Sequence, residues 1–307
     1  MKLKSKNELY CLVDENLISE FDNTHQTFMK NVYYKSYCKF AKAIGSRKLS
    51  KRDFFKNMRR RRIKLYQLCC PYCGTIQIIP EDGKWKNSGG LNYCCHCGRN
   101  STINVCFEHL ARFIRLSQIV EEGLKVKKRK YKDAEEWLLG YEAYQMELIT
   151  LVSIIEVVFR DYFEALLFIN NLNNGSNKYI QKSIDKQMGN DFMLIEKAND
   201  QYKKAFSIDI KALVDTDVWN DLIDVVNLRN IFVHNNGHID GRFKESKSYD
   251  RLKSNIRGEL YCLQKADTEK YFKSVAKATL AITECYYVEY YRLRRKAIAN
   301  HYFNVAD

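Results

Sequence analysis

Apolar residues recur at helical spacing along most of the chain. Leu9, Leu12, Val13, Leu17 and Phe21 predict a helix over about 7–22. A second is expected from about Thr24 to Ala43, with Gly45 as its stop. Ser50-x-x-Asp53 has the order of a capping box, with Asp in place of Glu, and opens a third helix expected to reach about Tyr66. Between 68 and 103 the pattern breaks. That segment holds both prolines, Pro71 and Pro80, five glycines and a β-like run from Thr75 to Ile79. Helical spacing resumes near Cys106, and a long apolar stripe predicts one helix from about Asp133 to Asn171. Asn173-Asn174-Gly175-Ser176-Asn177 is a loop by composition. Shorter helices are expected near 178–205 and 216–235, then a loop over 236–255 and an extended piece from Glu259 to Leu263. Asp267 is placed to cap a final helix reaching about Lys296. The pattern defines a mainly α chain.

Composition sharpens that picture. Two prolines in 307 residues compare with roughly fifteen for average usage, a scarcity that suits long helices. The longest apolar run, Leu148 to Phe159, is interrupted by Ser153 and Glu156 and is far shorter than the ~20 residues that span a bilayer. No membrane partner is expected. Met1 to Asn7 carries charges with no apolar stretch behind them, so no signal peptide and a cytoplasmic location are expected.

Charge divides the chain unevenly. Residues 1–66 hold 17 basic and 6 acidic side chains, 67–139 hold 11 and 8, and 140–307 hold 23 of each. The whole excess of +14 therefore lies in the first 139 residues, where a polyanion such as RNA would meet it first. The densest runs are Arg59-Arg60-Arg61-Arg62 and Lys127-Lys128-Arg129-Lys130. Four consecutive arginines cannot all lie on one helix face, so these eight positions are the candidate RNA contacts.

Nine of the eleven cysteines lie at or before Cys106. Cys70-Pro71-Tyr72-Cys73-Gly74 and Cys94-Cys95-His96-Cys97-Gly98 each set two thiols on one tight turn, with a glycine after the second. Two such turns form a tetrahedral thiolate set for Zn²⁺, closed and hence structural. Cys70, Cys73, Cys94 and Cys97 are the expected ligands; Cys69, Cys95 and His96 are the alternatives. The segment resembles a zinc ribbon.

The segment Trp219 to Gly237 predicts a helix ended by Asn235-Asn236-Gly237, with His234 in the last turn, where the carbonyl ends of a helix favour a cation. Arg229 precedes it by one and a half turns. A guanidinium can grip a phosphate in two places while an imidazole moves a proton. Arg229-Asn230-x-x-x-His234-Asn-x-Gly237 resembles the signature of the HEPN superfamily. Ser153 to Phe163, Glu196 to Lys204 and Asp267 to Arg295 resemble its first, middle and last helices. The resemblance spans about 140–296 and implies an HEPN-like helical bundle. It also implies a metal-independent endoribonuclease with Arg229 and His234 on the scissile phosphate and Asn230 supporting them. Homodimerisation, a toxin or anti-phage role, and a partner antitoxin or sensor protein follow from the same resemblance.

The expected domains are a basic helical region (1–67), a zinc ribbon (68–103), a connecting helix or linker (104–139) and an HEPN-like domain (140–307). A rival from another class is a non-catalytic regulator, in which the ribbon binds nucleic acid and the helical half only dimerises. Tyr286, Tyr287, Tyr290 and Tyr291 could stack bases, though helix packing accounts for them more simply. Glu156 is either internally hydrogen-bonded or an acidic neighbour of Arg229. His238 is either a second proton carrier or a loop residue.

Overall fold

A computed structural model of the protein describes residues 10–12, part of 30–50, 51–59, 64–70, 76–81, 97–99, 102–127, 133–171 and 191–303. The described chain is mainly helical. It divides into two compact units: 1–104 with 165–180 and 289–307, and 105–164 with 181–288. The division falls inside three helices, and 105–127 belongs to the same unit as the Arg–His segment.

In the first unit, two sequence expectations give way to sheet. Tyr10–Leu12 is strand β1, where helical spacing predicted a turn of helix. The third helix, α1, is short: it covers Lys51–Arg59, and Lys64–Cys69 is strand β2. Leu65 and Leu68 fit a helix stripe, but Tyr10, Cys11 and Leu12 pair antiparallel with Leu68, Gln67 and Tyr66, so cross-strand pairing overrides local periodicity. Strand β3, Ile76–Glu81, covers the predicted β-like run and pairs antiparallel with β2 from Lys64↔Glu81 to Cys69↔Ile76. The order is β1-β2-β3. Pro80 is tolerated because β3 lies at the edge of this sheet.

The helix stops behave as their residues dictate. Ser50 Oγ accepts from the Asp53 N–H at 3.1 Å and donates to Asp53 Oδ2 at 2.7 Å, which closes the cap of α1. The described residues between Lys30 and Lys42 are helical. Gly45 then takes φ +67, and Ser46 N–H reaches back to the Ala41 carbonyl at 2.8 Å. Phe54, fully buried, stacks on Tyr37 at 4.6 Å.

The second unit is built on helices α2 (Thr102–Lys127), α3 (Asp133–Asn170), α4 (Ile195–Phe206) and α5 (Thr216–Asn235). Short helices α6 (Gly241–Lys244) and α7 (Lys247–Leu252) occupy the stretch expected to be loop. Asp240 starts α6 by accepting from the Phe243 N–H at 2.8 Å, a capping bond invisible to periodicity because the helix is one turn long. A two-stranded hairpin of β4 (Ile256–Arg257) and β5 (Leu260–Tyr261) leads to α8, Lys265–Phe303. Asp267 caps α8 from inside its first turn: its Oδ2 accepts from the Gln264 N–H at 2.9 Å.

The core of this unit lies along α3, which buries Leu148, Leu151, Ile155, Val158 and Phe159. Polar atoms inside it are paired. Tyr202 Oη donates to the Phe159 carbonyl at 2.6 Å, and Tyr162 stacks on Tyr286 at 4.4 Å while its hydroxyl meets Thr283 at 2.9 Å. Tyr286 and Tyr290 are each 1% exposed. They are packing residues, unable to stack a base without unfolding.

Candidate functional site

Helix α5 carries Arg229, Asn230 and His234, and its length follows from its two ends. At the amino end Asp215 is extended and the Trp219 N–H reaches its carbonyl at 2.9 Å. At the carboxyl end Asn236 and Gly237 take φ +49 and +85, and the Gly237 N–H folds back to the Ile231 carbonyl at 3.0 Å. Only glycine fits position 237. A Cβ there would lie 2.4 Å from Tyr141 Oη and 3.1 Å from the Phe232 ring. Tyr141 in turn donates to the Tyr261 carbonyl at 2.9 Å, and the Tyr261 N–H donates to the Gly237 carbonyl at 3.0 Å. Burial pushes the Tyr141 phenol up to about 12, so it stays a neutral donor. The end of α5 is thereby pinned between α3 and β5.

The inner face of α5 is held by charge as well as by oil. Asp224, 1% exposed, accepts from Arg251 Nε at 3.1 Å and pairs with Arg251 Nη2. This hydrogen bond raises the Arg251 pKa above its ordinary value. Asn227 Nδ2 donates to Ser248 Oγ at 2.8 Å. Asp221 accepts from Ser274 Oγ at 2.6 Å and from Lys270 Nζ at 2.7 Å. Two acids at i and i+3 among apolar positions were the available sequence signal for these anchors; their partners lie 27 to 53 residues away. Replacing Asp224 by Asn keeps the shape but removes the charge that satisfies Arg251. It is expected to lower unfolding stability by about 1–3 kcal/mol, read from the midpoint of urea denaturation.

The outer face carries the motif. Arg229 and Asn230 are half-buried, and His234 is exposed in the last turn. Arg229 Nη1 donates to Asn230 Oδ1 at 3.2 Å, and among the described residues no carboxylate pairs with the guanidinium. Glu156 is half-buried and makes no ion pair with Arg229. Arg229 and Asn230 border a cleft of about 170 Å³ with Val152, Met193, Leu194 and Val226. Val233, 43% exposed, continues the same face of the helix. Asn230 and His234 are i, i+4 neighbours and stack along one side. Arg229 and His234 are five positions apart, about 140° around the axis and about 7.5 Å along it. His238 is exposed beyond the helix, its backbone in a β-bridge with Leu260.

The other candidates are spread over both units. Arg59 ends α1 and Lys127 ends α2; Arg60, Arg61, Arg62, Lys128, Arg129 and Lys130 lie outside the described residues. Cys70 follows β2 directly and is 1% exposed, whereas Cys97 is exposed, yet their sulfurs lie 3.7 Å apart. Cys73 and Cys94 lie outside the described residues. Among the described residues, no three His, Cys, Asp or Glu side chains converge on one point, and no helix is long and apolar enough to cross a membrane.

In this mainly helical fold Arg229, with no acidic partner among the described residues, lies beside Asn230 and on the same helix as the exposed His234. Compared with known proteins, the chain matches no family model, no curated protein and no solved structure.

Proposed function

We propose that the protein is an endoribonuclease of the HEPN type that cleaves RNA by attack of the 2′-OH, with Arg229 and His234 acting on the scissile phosphate. The single observation that carries this reading is the state of Arg229. Arg251, by contrast, is paired with the buried Asp224. Arg229 instead has its guanidinium oriented by the Asn230 carboxamide at the edge of an open cleft. A phosphate would supply the missing anion and accept two N–H donors at once.

The reaction needs a base to take the proton of the 2′-OH and an acid to protonate the departing 5′-oxygen. One chain offers one imidazole at this face. A symmetric pair of chains meeting along α5 would supply two, and would also bring one chain's guanidinium toward the other's imidazole across the 140° offset. The exposed Val233 gives that contact apolar surface. The guanidinium pair then stabilises the charge that builds on the phosphorus oxygens. Products are a 2′,3′-cyclic phosphate and a 5′-hydroxyl. A toxin or anti-phage role, with an antitoxin or sensor as partner, belongs to the proposal through the superfamily resemblance.

The test is incubation of the purified chain with transfer, ribosomal and messenger RNA in EDTA, followed by mapping of the cut ends. Ends of other chemistry, or no cutting of any RNA together with no harm to an expressing host, would favour the binding-regulator reading.

The basic segments supply affinity in this proposal. Replacing Arg59, Arg60, Arg61 and Arg62 by Gln is expected to weaken binding to unrelated RNAs alike. The slope of log K against log salt should flatten by up to about 3, as four phosphate contacts to single strands are lost. Filter binding over a salt series measures it, and an unchanged slope would show that these arginines face something else.

A further inference from the structure

We propose that the exposed side of α6, α7 and β4 is a docking surface for the RNA phosphate backbone, with Arg242, Lys244, Lys247 and Arg257 as its contacts. The inference rests on the ribonuclease reading and extends it, since the surface holds the strand on one side of the bond to be cut. Residues 140–307 are neutral as a whole, with 23 basic and 23 acidic side chains. That balance conceals a separation. Gly241 to Arg257, from α6 through β4, holds six basic residues and two acidic ones, so the rest of 140–307 holds 17 against 21.

Ion pairing removes part of this charge and leaves the remainder facing solvent. Arg251 is committed to the buried Asp224, and Lys253 lies 3.6 Å from Asp250. Arg242, Lys244 and Lys247 are exposed and make no ion pair among the described residues. Arg257 is exposed too, and its Nη1 donates to the Ser254 and Ile256 carbonyls at 3.1 and 3.3 Å. Neutral carbonyls leave its charge uncancelled. Glu245 is the remaining acid of the stretch. Phe243 and Leu252 are buried, which turns the apolar side of both short helices inward and keeps the cations outside.

Two hydrogen bonds tie this surface to the motif helix. Asn235, next to His234, donates to Asp240 at 2.9 Å, and Asp240 starts α6. The Phe243 N–H, then Asn235 and the charge of Arg242, hold the Asp240 carboxyl below its usual range, which places Arg242 near this end of α5. Farther back, Asn227 donates to Ser248 of α7 at 2.8 Å. Asn227 and His234 are seven positions apart, within about 20° of one helix face and about 10.5 Å along the axis. Helix α7 therefore packs on the face that leads to His234. Val233 is offset from His234 by about 100° in the opposite sense, so a second chain seated on Val233 meets a different face of α5. A strand gripped at Arg229 and passing His234 reaches these cations next. Their alignment with the motif favours RNA over an acidic protein, and such phosphate contacts position a strand without reading its sequence.

The test uses the full chain carrying His234→Ala, which binds RNA without cutting it, and a single-stranded oligonucleotide of mixed sequence. Changing Arg242, Lys244 and Lys247 together to Gln should flatten the slope of log K against log salt by about 2, from three contacts of about 0.7 each. Glu245→Lys should steepen it by about 0.7, a gain that misfolding cannot imitate. Changing Lys273 and Lys277, two exposed lysines of α8, to Gln should keep the parent slope. With His234 intact, the triple change should raise KM at least about fivefold and alter kcat less than about twofold. An unchanged slope or KM in the triple variant would overturn the proposal and leave an acidic protein as the partner of this surface. Equal flattening per charge at Lys273 and Lys277 would overturn it as well, because net charge alone would then explain the affinity. The binding arm requires no cleavage: RNA held through this surface but never cut by the wild-type chain would sink the ribonuclease reading alone.

Discussion

Replacing His234 by alanine is expected to reduce RNA cleavage by about 10²–10⁴, the usual contribution of a positioned proton carrier. Arg229→Ala is expected to cost about 10²–10³ through loss of transition-state charge stabilisation. Neither change should disturb the fold. His234 is exposed, and Arg229 has the Asn230 carboxamide as its hydrogen-bond partner, which keeps other solvent access when the guanidinium is gone. Circular dichroism and gel filtration should therefore match wild type. The composite site adds a sharper expectation. Wild-type chain mixed with excess His234→Ala should lose more activity than dilution explains, since each mixed pair has one imidazole for two proton transfers. Full activity from a monomeric form, or mixing that only dilutes, would rule out the two-chain mechanism.

Gly237→Ala is expected to be the most damaging single change to stability at this end of the molecule. A left-handed φ of +85 costs a residue with a Cβ about 1–2 kcal/mol. The new methyl would also collide with Tyr141 Oη at 2.4 Å. Relieving that clash moves a hydroxyl that holds the Tyr261 carbonyl, and overpacking of this kind costs about 1–3 kcal/mol more. The combined loss of about 2–5 kcal/mol should appear as a large fall in the denaturation midpoint. Cleavage should fall as well in whatever fraction remains folded, because the last turn of α5 carries His234. A Gly237→Ala chain with wild-type stability would mean that the Gly237–Tyr141–Tyr261 cluster does not anchor the helix.

Much of the second unit was legible in the sequence because long helices announce themselves over many turns. The stripe from Asp133 to Asn171 and the run from Thr216 to Asn235 needed only apolar spacing and end signals such as Asn236-Gly237. The first unit was harder. Leu9, Leu12 and Val13 satisfy helical spacing, yet Tyr10–Leu12 pairs with residues more than fifty positions away, and no local pattern encodes that register. The stretch 236–255 failed for the opposite reason. Its helices are 4 and 6 residues long, too short for periodicity, and the first is set by the Asp240 cap. In the site, Arg229, Asn230 and His234 were singled out by their resemblance to the HEPN signature, not by spacing alone. That Arg229 has no acidic partner among the described residues, that Asn230 orients it, and that Val152, Met193 and Leu194 border a cleft beside it depend on tertiary packing. The anchors Asp221 and Asp224 were visible only as acids on an oily face.

The hydrogen bond from Tyr141 to the Tyr261 carbonyl joins positions 120 residues apart, and this bears on how the chain is made. A ribosome extrudes Arg229 and His234 well before Tyr261. Until then Gly237 lacks the N–H of Tyr261 that holds its carbonyl, and the last turn of α5 is free to fray. The motif therefore leaves the exit tunnel ahead of the strand that shapes it. On the proposed ribonuclease reading, synthesis order delays completion of the site until β5 has followed α5 out of the ribosome.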